Sequence, residues 1–292
     1  MNRSPPCRPD VTLITCVAHP ALPVDDAVLV DSLRRRGLRV VIAPWDAAVT
    51  GDPSCLTVLR AAWTSHLDPR AFIQWLDRTA GASSLLNGHL FIRWNFDKRY
   101  LIELGQRGAA VIPTALLESA NAEAIEKVLH ALPAGDIVVK PRYGAESYGT
   151  ARVAQWEAHE RIAAHFPRFG SNGGLLVQPF IPAVERERER SLVFIDGLFS
   201  HALYREPFGL GPTIQSPDNI HTPSEEELGY CHALFDLLPH RLTYARVDLI
   251  PLAAGPALME LEAIDPSLFF QAAPEAARRL AEAIDIRLQE LR

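Results

Sequence analysis

YARVDLIP (residues 244–251), followed after a short turn by ALMELEAI (257–264), alternates polar and apolar residues on both arms. Alternation at period two marks half-buried strands, and two such runs around a turn read as an antiparallel hairpin. With Pro251 opposite Ala257, Asp248 faces Glu260 and Arg246 faces Glu262. All four then share one side of the hairpin, while Val247, Leu249, Met259 and Leu261 share the other. Opposed carboxylates stand about 5 Å apart at Cβ and repel unless a cation sits between them. Hard oxygen ligands on rigid strands suit Mg²⁺ bridging phosphates. The competing reading is a cluster of acids and one arginine on a solvated sheet face.

Outward from the hairpin, two lysines draw the eye. The strand DIVVKP (136–141) ends at Lys140 and enters the glycine-bearing loop RYGAESYGT (142–150), so the ammonium can reach a phosphate while loop amides and Ser147 cover it. Lys98, in RWNFDKRYL (93–101), is expected on the first turn of a helix over 95–107, whose free N–H groups favour an anion. The plain alternatives are a solvated strand end and a solvated helix surface. RSLVFIDGLFSHALYR (190–205) reads as a hairpin around Asp196-Gly197, a pair suited to a type I′ turn.

The first ninety residues alternate strands with helices: VTLITCV, a helix over 24–36 ended by Gly37, LRVVIA, CLTVLRA, and a helix with Asp68 at its N-cap and Pro69 at its first position. That order predicts a small parallel sheet. Further helices are expected over 120–132 and 157–166, from Thr222-Pro223, and after Pro274, with strands at AAVIPT (109–114) and LLVQPFI (175–181). ERERER (185–190) reads as a solvated segment. The expected class is α/β (α+β).

At 292 residues the chain is expected to hold two or three packed domains with a ligand cleft between them. A net charge of −6 with scattered basic residues excludes the electrostatic footprint of a nucleic-acid or membrane-surface binder, so the expected partner is a small molecule. Four cysteines without a CxxC argue against a zinc cage or disulfide framework, and MNRSPPCRPD lacks the apolar core of a signal peptide. A soluble cytoplasmic enzyme is the expectation. GxSxG, Walker A and GxGxxG patterns in their proper context are absent, and the ten histidines show no paired spacing.

The ordered set DKRYL, VVKP with its glycine loop, LVQPFI, RSLVFIDG, YARVDL and MELEAIDPSLFF resembles the ATP-grasp ligases over about residues 85–271. It looks closest to the bacterial group that includes the cyclo-ligase of cycloserine biosynthesis, with glutathione synthetase and D-alanine–D-alanine ligase more distant. The resemblance implies an ATP-grasp fold: a pre-ATP-grasp N-terminal domain (1–93), a lid or central subdomain (94–180) and a C-terminal subdomain with the metal site (181–292). Two α+β subdomains would clasp ATP.

Position by position, the resemblance gives Lys98 and Lys140 to the phosphates, and Gln178 with the backbone of Phe180 and Ile181 to the adenine edge. It gives Glu185 to the ribose and Arg190 and Arg205 to the acyl-phosphate or substrate carboxylate. Asp248, Glu260 and Glu262 become ligands of Mg²⁺ or Mn²⁺, two ions being expected. Arg60, Arg246, Asp265 and Ser267 become substrate contacts. Two departures stand out: Glu146 replaces a small residue in the phosphate loop, and Trp63-Thr64-Ser65 stands where the group commonly has Trp-Asp-Tyr.

The implied reaction is ATP-dependent ligation. A substrate carboxylate attacks the γ-phosphate, an acyl-phosphate forms, and an amine of the same or a second molecule displaces phosphate. A small-molecule kinase on the same scaffold and a non-catalytic nucleotide-binding protein are the rivals. The sequence leaves the substrate and a homodimer open.

Overall fold

A computed structural model describes residues 9–47, 54–205 and 219–291. Its first sheet is built from β1 (Val11–Thr15), β2 (Val40–Pro44), β3 (Leu56–Leu59) and β4 (Ser84–Leu85), all parallel, in the order β2-β1-β3-β4. VTLIT of β1 is buried along its whole length, as a strand covered on both faces must be. On one face α1 (Val24–Arg35) packs Leu29 and Leu33 against Val11 and Leu13. On the other, α2 (Pro69–Ala80) packs Phe72 and Leu76 against Ile14 and Leu59. Asp68 caps α2 by accepting the Ala71 N–H at 2.9 Å, as expected from the sequence.

The single helix expected over 95–107 is two helices, α3 (His89–Phe96) and α4 (Tyr100–Gln106). The break falls at Asp97, whose carboxylate accepts the Arg99 backbone N–H at 3.1 Å and competes with the helical ladder. Lys98 therefore sits in the turn before α4, not on a first turn.

A second, antiparallel sheet contains β5 (Ala115–Leu117), β6 (Ile137–Pro141), β7 (Ala151–Val153) and β8 (Leu175–Pro179) in the order β5-β8-β6-β7. It is covered by α5 (Ala122–His130) and α6 (Ala158–Phe169) through Ile125, Val128 and Ile162. The strand expected at AAVIPT makes one parallel bridge, Val111 with Leu258, and pairing with β8 starts only beyond Pro113, which has no N–H to give a ladder.

The remaining elements are α7 (Ala183–Glu187), β9 (Glu189–Ile195), β10 (Leu198–Arg205), β11 (Ile220–His221), α8 (Glu225–Asp236), β12 (Tyr244–Leu252), β13 (Gly255–Glu262) and α9 (Pro274–Glu290). The strands form an antiparallel sheet in the order β11-β10-β9-β12-β13. Asp196 and Gly197 join β9 to β10 at φ values of 49° and 71°, the signs a type I′ turn requires. The helix expected from Thr222 starts later, with Ser224 and Glu227 as a reciprocal capping box. ERERER is solvated only in its first half: Glu185, Arg186 and Glu187 are exposed at the end of α7, while Glu189 and Arg190 are half-buried at the start of β9. α9 returns to pack on α1, so its Leu280 and Ile284 share one core with Val193 and Ile195 of β9 and Val11 of β1.

Arg60, expected to touch substrate, is 1 % exposed and lies behind the cleft wall. Its Nε donates to Asp26 Oδ1 at 3.0 Å and its Nη2 to the Pro266 carbonyl at 3.0 Å, with the guanidinium 5.4 Å from the Tyr244 ring centroid. It thus props the loop after β13 from the N-terminal sheet. No helix among the described residues is long and apolar enough to cross a membrane.

Arg60→Met should destabilise the fold by about 3–5 kcal/mol, because it leaves Asp26 buried and unpaired. Adding Asp26→Asn should restore part of that loss, read from urea midpoints; equal midpoints for wild type and Arg60→Met would remove Arg60 from the structural frame.

Candidate active site

Between the second sheet and the β9-β12-β13 face lies a cleft of ≈ 790 Å³. One end is closed by Trp63, Ser65 and His66 of the N-terminal region and the other by Val184 and Glu185. The register anticipated for its floor holds where it matters: Arg246 pairs with Glu262 and Asp248 with Glu260. Beyond Asp248 the register slips, so Pro251 pairs with Pro256 rather than Ala257. The extra residue is Met259, which turns to line the cleft instead of joining the apolar reverse face.

The end of β13 is pinned from α3 and α4. The Asn95 side chain donates to the Leu261 carbonyl at 2.9 Å and accepts the Ala263 N–H at 3.1 Å, while Tyr100 Oη accepts the Leu261 N–H at 2.9 Å. Glu262 is thereby held between two clamped residues.

Oxygens of Asp248, Glu260 and Glu262 lie within 4.8 Å of one another, a donor set able to hold a metal ion. Asp248 is 0 % exposed. It accepts from Ser191 Oγ at 2.6 Å, Arg246 Nε at 2.9 Å and Arg205 Nη1 at 3.1 Å. Burial pushes its pKa up, but Arg246 and Arg205 outweigh this and hold it below its ordinary value. Glu262 pairs with Arg246 Nη2 at 2.6 Å and Glu260 with Lys98 Nζ. Both glutamates keep side-chain exposure toward the cleft, so their oxygens are the accessible ones.

Lys140 enters from the second sheet and Lys98 from the α3–α4 turn. Desolvation and the facing Lys98 charge push the Lys140 pKa down to about 7, against a smaller pull from Glu189. The loop after Lys140 holds Glu146 and Ser147 at φ 48° and 59°, uncommon for residues with a Cβ, and both line the cleft. Gly149 closes that loop at φ +65°, where a Cβ would stand 2.5 Å from Phe169.

Gln178, Phe180, Ile181 and Glu185 gather at the far end. Gln178 Nε2 donates to Thr114 Oγ1 at 2.8 Å, and Arg152 bridges the Phe180 ring, 3.6 Å from its centroid, to Glu185 at 3.0 Å. At the near end Asp265 and Ser267 line the wall, and the Ser267 carbonyl accepts from Arg246 at 3.2 Å. Burial, then the neighbouring Glu262 charge, pushes Asp265 up to about 7 despite Arg60 and the Ala62 amide. Thr64, in the place of the usual aspartate, turns away to Trp45 and Asp46.

Arg190 does not reach the cleft. On β9 it has the parity of Leu192 and points to α8, where it pairs with Glu227 at 2.8 Å. The opposite parity brings Glu189, which the sequence reading left in the solvated run, into the cleft, 2.8 Å from Arg205. Burial raises the Glu189 pKa against the pull of Arg205. His66 also lines the wall, its ring 4.7 Å from that of Tyr148. Nothing in histidine spacing signals it, and ERERER carries no local sign of which parity of β9, and so Glu189, would face the cleft.

The family profile described as D-cycloserine synthetase DcsG, N-terminal domain, matches residues 11–87. The cycloserine biosynthesis protein DcsG of Streptomyces lavendulae is 28 % identical over 301 residues, spanning 96 % of this chain and 99 % of that one. The crystal structure of D-cycloserine synthetase DcsG superimposes with a TM-score of 0.83 at 28 % identity, over 95 % of this chain and 99 % of that one. D-alanine–D-alanine ligase from Bacillus anthracis, solved with ATP, gives 0.63 at 15 % identity, over 97 % of each chain. An ATP-grasp protein with a RimK domain from Sphaerobacter thermophilus gives 0.68 at 16 %, over 94 % of this chain and 99 % of that one. With its parallel N-terminal sheet and two antiparallel sheets enclosing the cleft, the chain has the fold of the ATP-grasp ligases and is similar along nearly its whole length to D-cycloserine synthetase.

Proposed function

We propose that the chain is a carboxylate–amine ligase that activates its substrate as an acyl-phosphate and releases ADP and phosphate. The observation that carries this reading is the convergence of Asp248, Glu260 and Glu262 with Lys98, Lys140 and Arg205 on one cleft. The D-alanine–D-alanine ligase relative is solved with ATP, and the ATP-grasp ligase PsnB with Mg and ADP, which supports the same ligands here. ATP would lie with its adenine against Gln178, Phe180 and Ile181, its ribose at Glu185 and its phosphates between the two lysines under the Ser147 loop.

The donor set fits Mg²⁺ or Mn²⁺, with Glu260 and Glu262 offering accessible oxygens and Asp248 a buried one. Held by these three carboxylates, the metal would supply neutralisation of the polyphosphate charge. Lys98, now paired with Glu260, would turn to phosphate once that pairing is relieved. Arg205 and Arg246 face the cleft and would hold the carboxylate as it attacks, which is catalysis by positioning and electrostatics. Asp265 and Ser267 would contact the rest of the substrate. The second sheet and its loop would act as the lid that keeps water from the mixed anhydride. Likeness to D-cycloserine synthetase favours one substrate carrying both carboxylate and amine, hence ring closure.

With ADP present, Glu260→Gln and Asp248→Asn should each weaken Mn²⁺ binding roughly tenfold or more, followed by electron paramagnetic resonance. Unchanged binding in both folded variants would sink the metal assignment.

Lys140 gives a pH signature. Its pKa of about 7 in the free protein should rise beside a triphosphate, so below pH 7 the lysine is already charged and above it ATP binding takes up a proton. Affinity should therefore fall as pH rises past 7. Calorimetry at pH 8 in buffers of different ionisation enthalpy should read uptake of about one proton, lost in Lys140→Gln; equal uptake in that variant defeats the assignment.

The acyl-phosphate itself is tested by ¹⁸O. A substrate labelled in its carboxylate should transfer one label to orthophosphate. A phosphorylated product would indicate a kinase, and unlabelled phosphate simple hydrolysis; either overturns the ligase mechanism.

A further inference from the structure

Lys98 and Lys140 come from different parts of the chain and carry like charges into one cleft, so before a nucleotide arrives they repel. On the side away from the cleft stands an opposite pair. Asp97, the residue before Lys98, accepts Arg142 Nε at 2.9 Å and Nη2 at 2.6 Å, a bidentate contact with the residue two positions after Lys140. The two backbones are tied as well: the Lys98 N–H donates to the Arg142 carbonyl at 3.1 Å.

Each partner is braced. Arg99 Nε donates to Asp97 Oδ2 at 2.8 Å, so the carboxylate is held from both sides. Arg142 Nη1 donates to the Gly173 carbonyl, and its backbone N–H to the Gly174 carbonyl, each at 3.3 Å. Gly173 sits at φ +95°, and a Cβ there would stand 2.7 Å from Nη1, so glycine makes the room the guanidinium occupies. Tyr143 packs on Phe96 with ring centroids 5.0 Å apart. Asp97 and Arg142 are 13 % and 15 % exposed in their side chains, dry enough for the pair to matter where surface pairs do not.

We propose that the Asp97–Arg142 pair is a positioning clasp that fixes the spacing of Lys98 and Lys140, holding two like charges at the separation a polyphosphate needs. The proposal rests on the reading of both lysines as phosphate ligands. It acts through them, so its effect is confined to the phosphate end of a nucleotide. Carboxamide at 97 keeps the shape and loses the charge; lysine at 142 keeps the charge and loses the fork.

The experiment is calorimetric binding of Mg-ATP and, separately, of adenosine to wild type, Asp97→Asn, Arg142→Lys, the double variant, Lys98→Ala and Lys140→Ala. Each clasp variant should weaken ATP by about tenfold and leave adenosine unchanged, and the double variant should be no weaker than the worse single one. Equal losses for ATP and adenosine, or none for ATP, would overturn the clasp. If the lysine variants also bind ATP as wild type does, the phosphate reading itself has failed; if they weaken and the clasp variants do not, only the clasp has. Should Asp97→Asn not fold, Arg142→Lys carries the same comparison.

Discussion

Asp248 has no access to water, and an isolated carboxylate in such a place would take up a proton. It stays charged because two guanidiniums and a hydroxyl close on it, and each comes from a different place. Ser191 belongs to β9, Arg205 to β10 and Arg246 to β12 itself. Arg246 then reaches Glu262 on β13 and the Ser267 carbonyl beyond it. A single buried charge thus fixes the relative positions of four strands and the loop after them. Removing any one partner exposes the rest to an uncompensated charge in a low-dielectric site.

The same requirement explains how the site can be both stable and reactive. Asp248, Glu189, Glu260 and Glu262 each have a cationic neighbour in the chain, which offsets most of the negative charge on the floor of the cleft. Glu260 is partnered by Lys98, which can swing, while Asp248 and Glu262 share Arg246, which is fixed in a strand. The exchangeable pair faces the cleft and Asp248 the core.

Much of this was legible in the sequence. Period-two alternation in YARVDLIP and MELEAI put Arg246, Asp248, Glu260 and Glu262 on one face, and the paired positions came out in the structure. The Asp196-Gly197 turn and the Asp68 cap were readable because their chemistry is local. The slip at Met259 was not, since a bulge depends on what packs against both strands. Arg190 failed for a related reason: one residue of parity decides which side of a strand a side chain takes, and the start of β9 inside ERERER gave no local sign. Arg60 failed because its partners, Asp26 and Pro266, lie 34 and 206 positions away. Lys98 lay in the right cleft but on a turn, because an Asp97 side chain interrupts a helix that propensity alone would continue.

The return of α9 to α1 has a consequence for synthesis. Residues of β1 and α1 leave the ribosome some 250 positions before those of α9; Gln271, just before that helix, already binds Asp25 of α1 across 246. Until Leu280 and Ile284 emerge, the side of α1 that α9 covers stays wet and apolar, an invitation to chaperones and to other chains. The early part of the polypeptide must wait for the late part, so this protein matures as a closed circuit rather than as beads added in sequence, and its folding should be governed by the slowest, most distant contact.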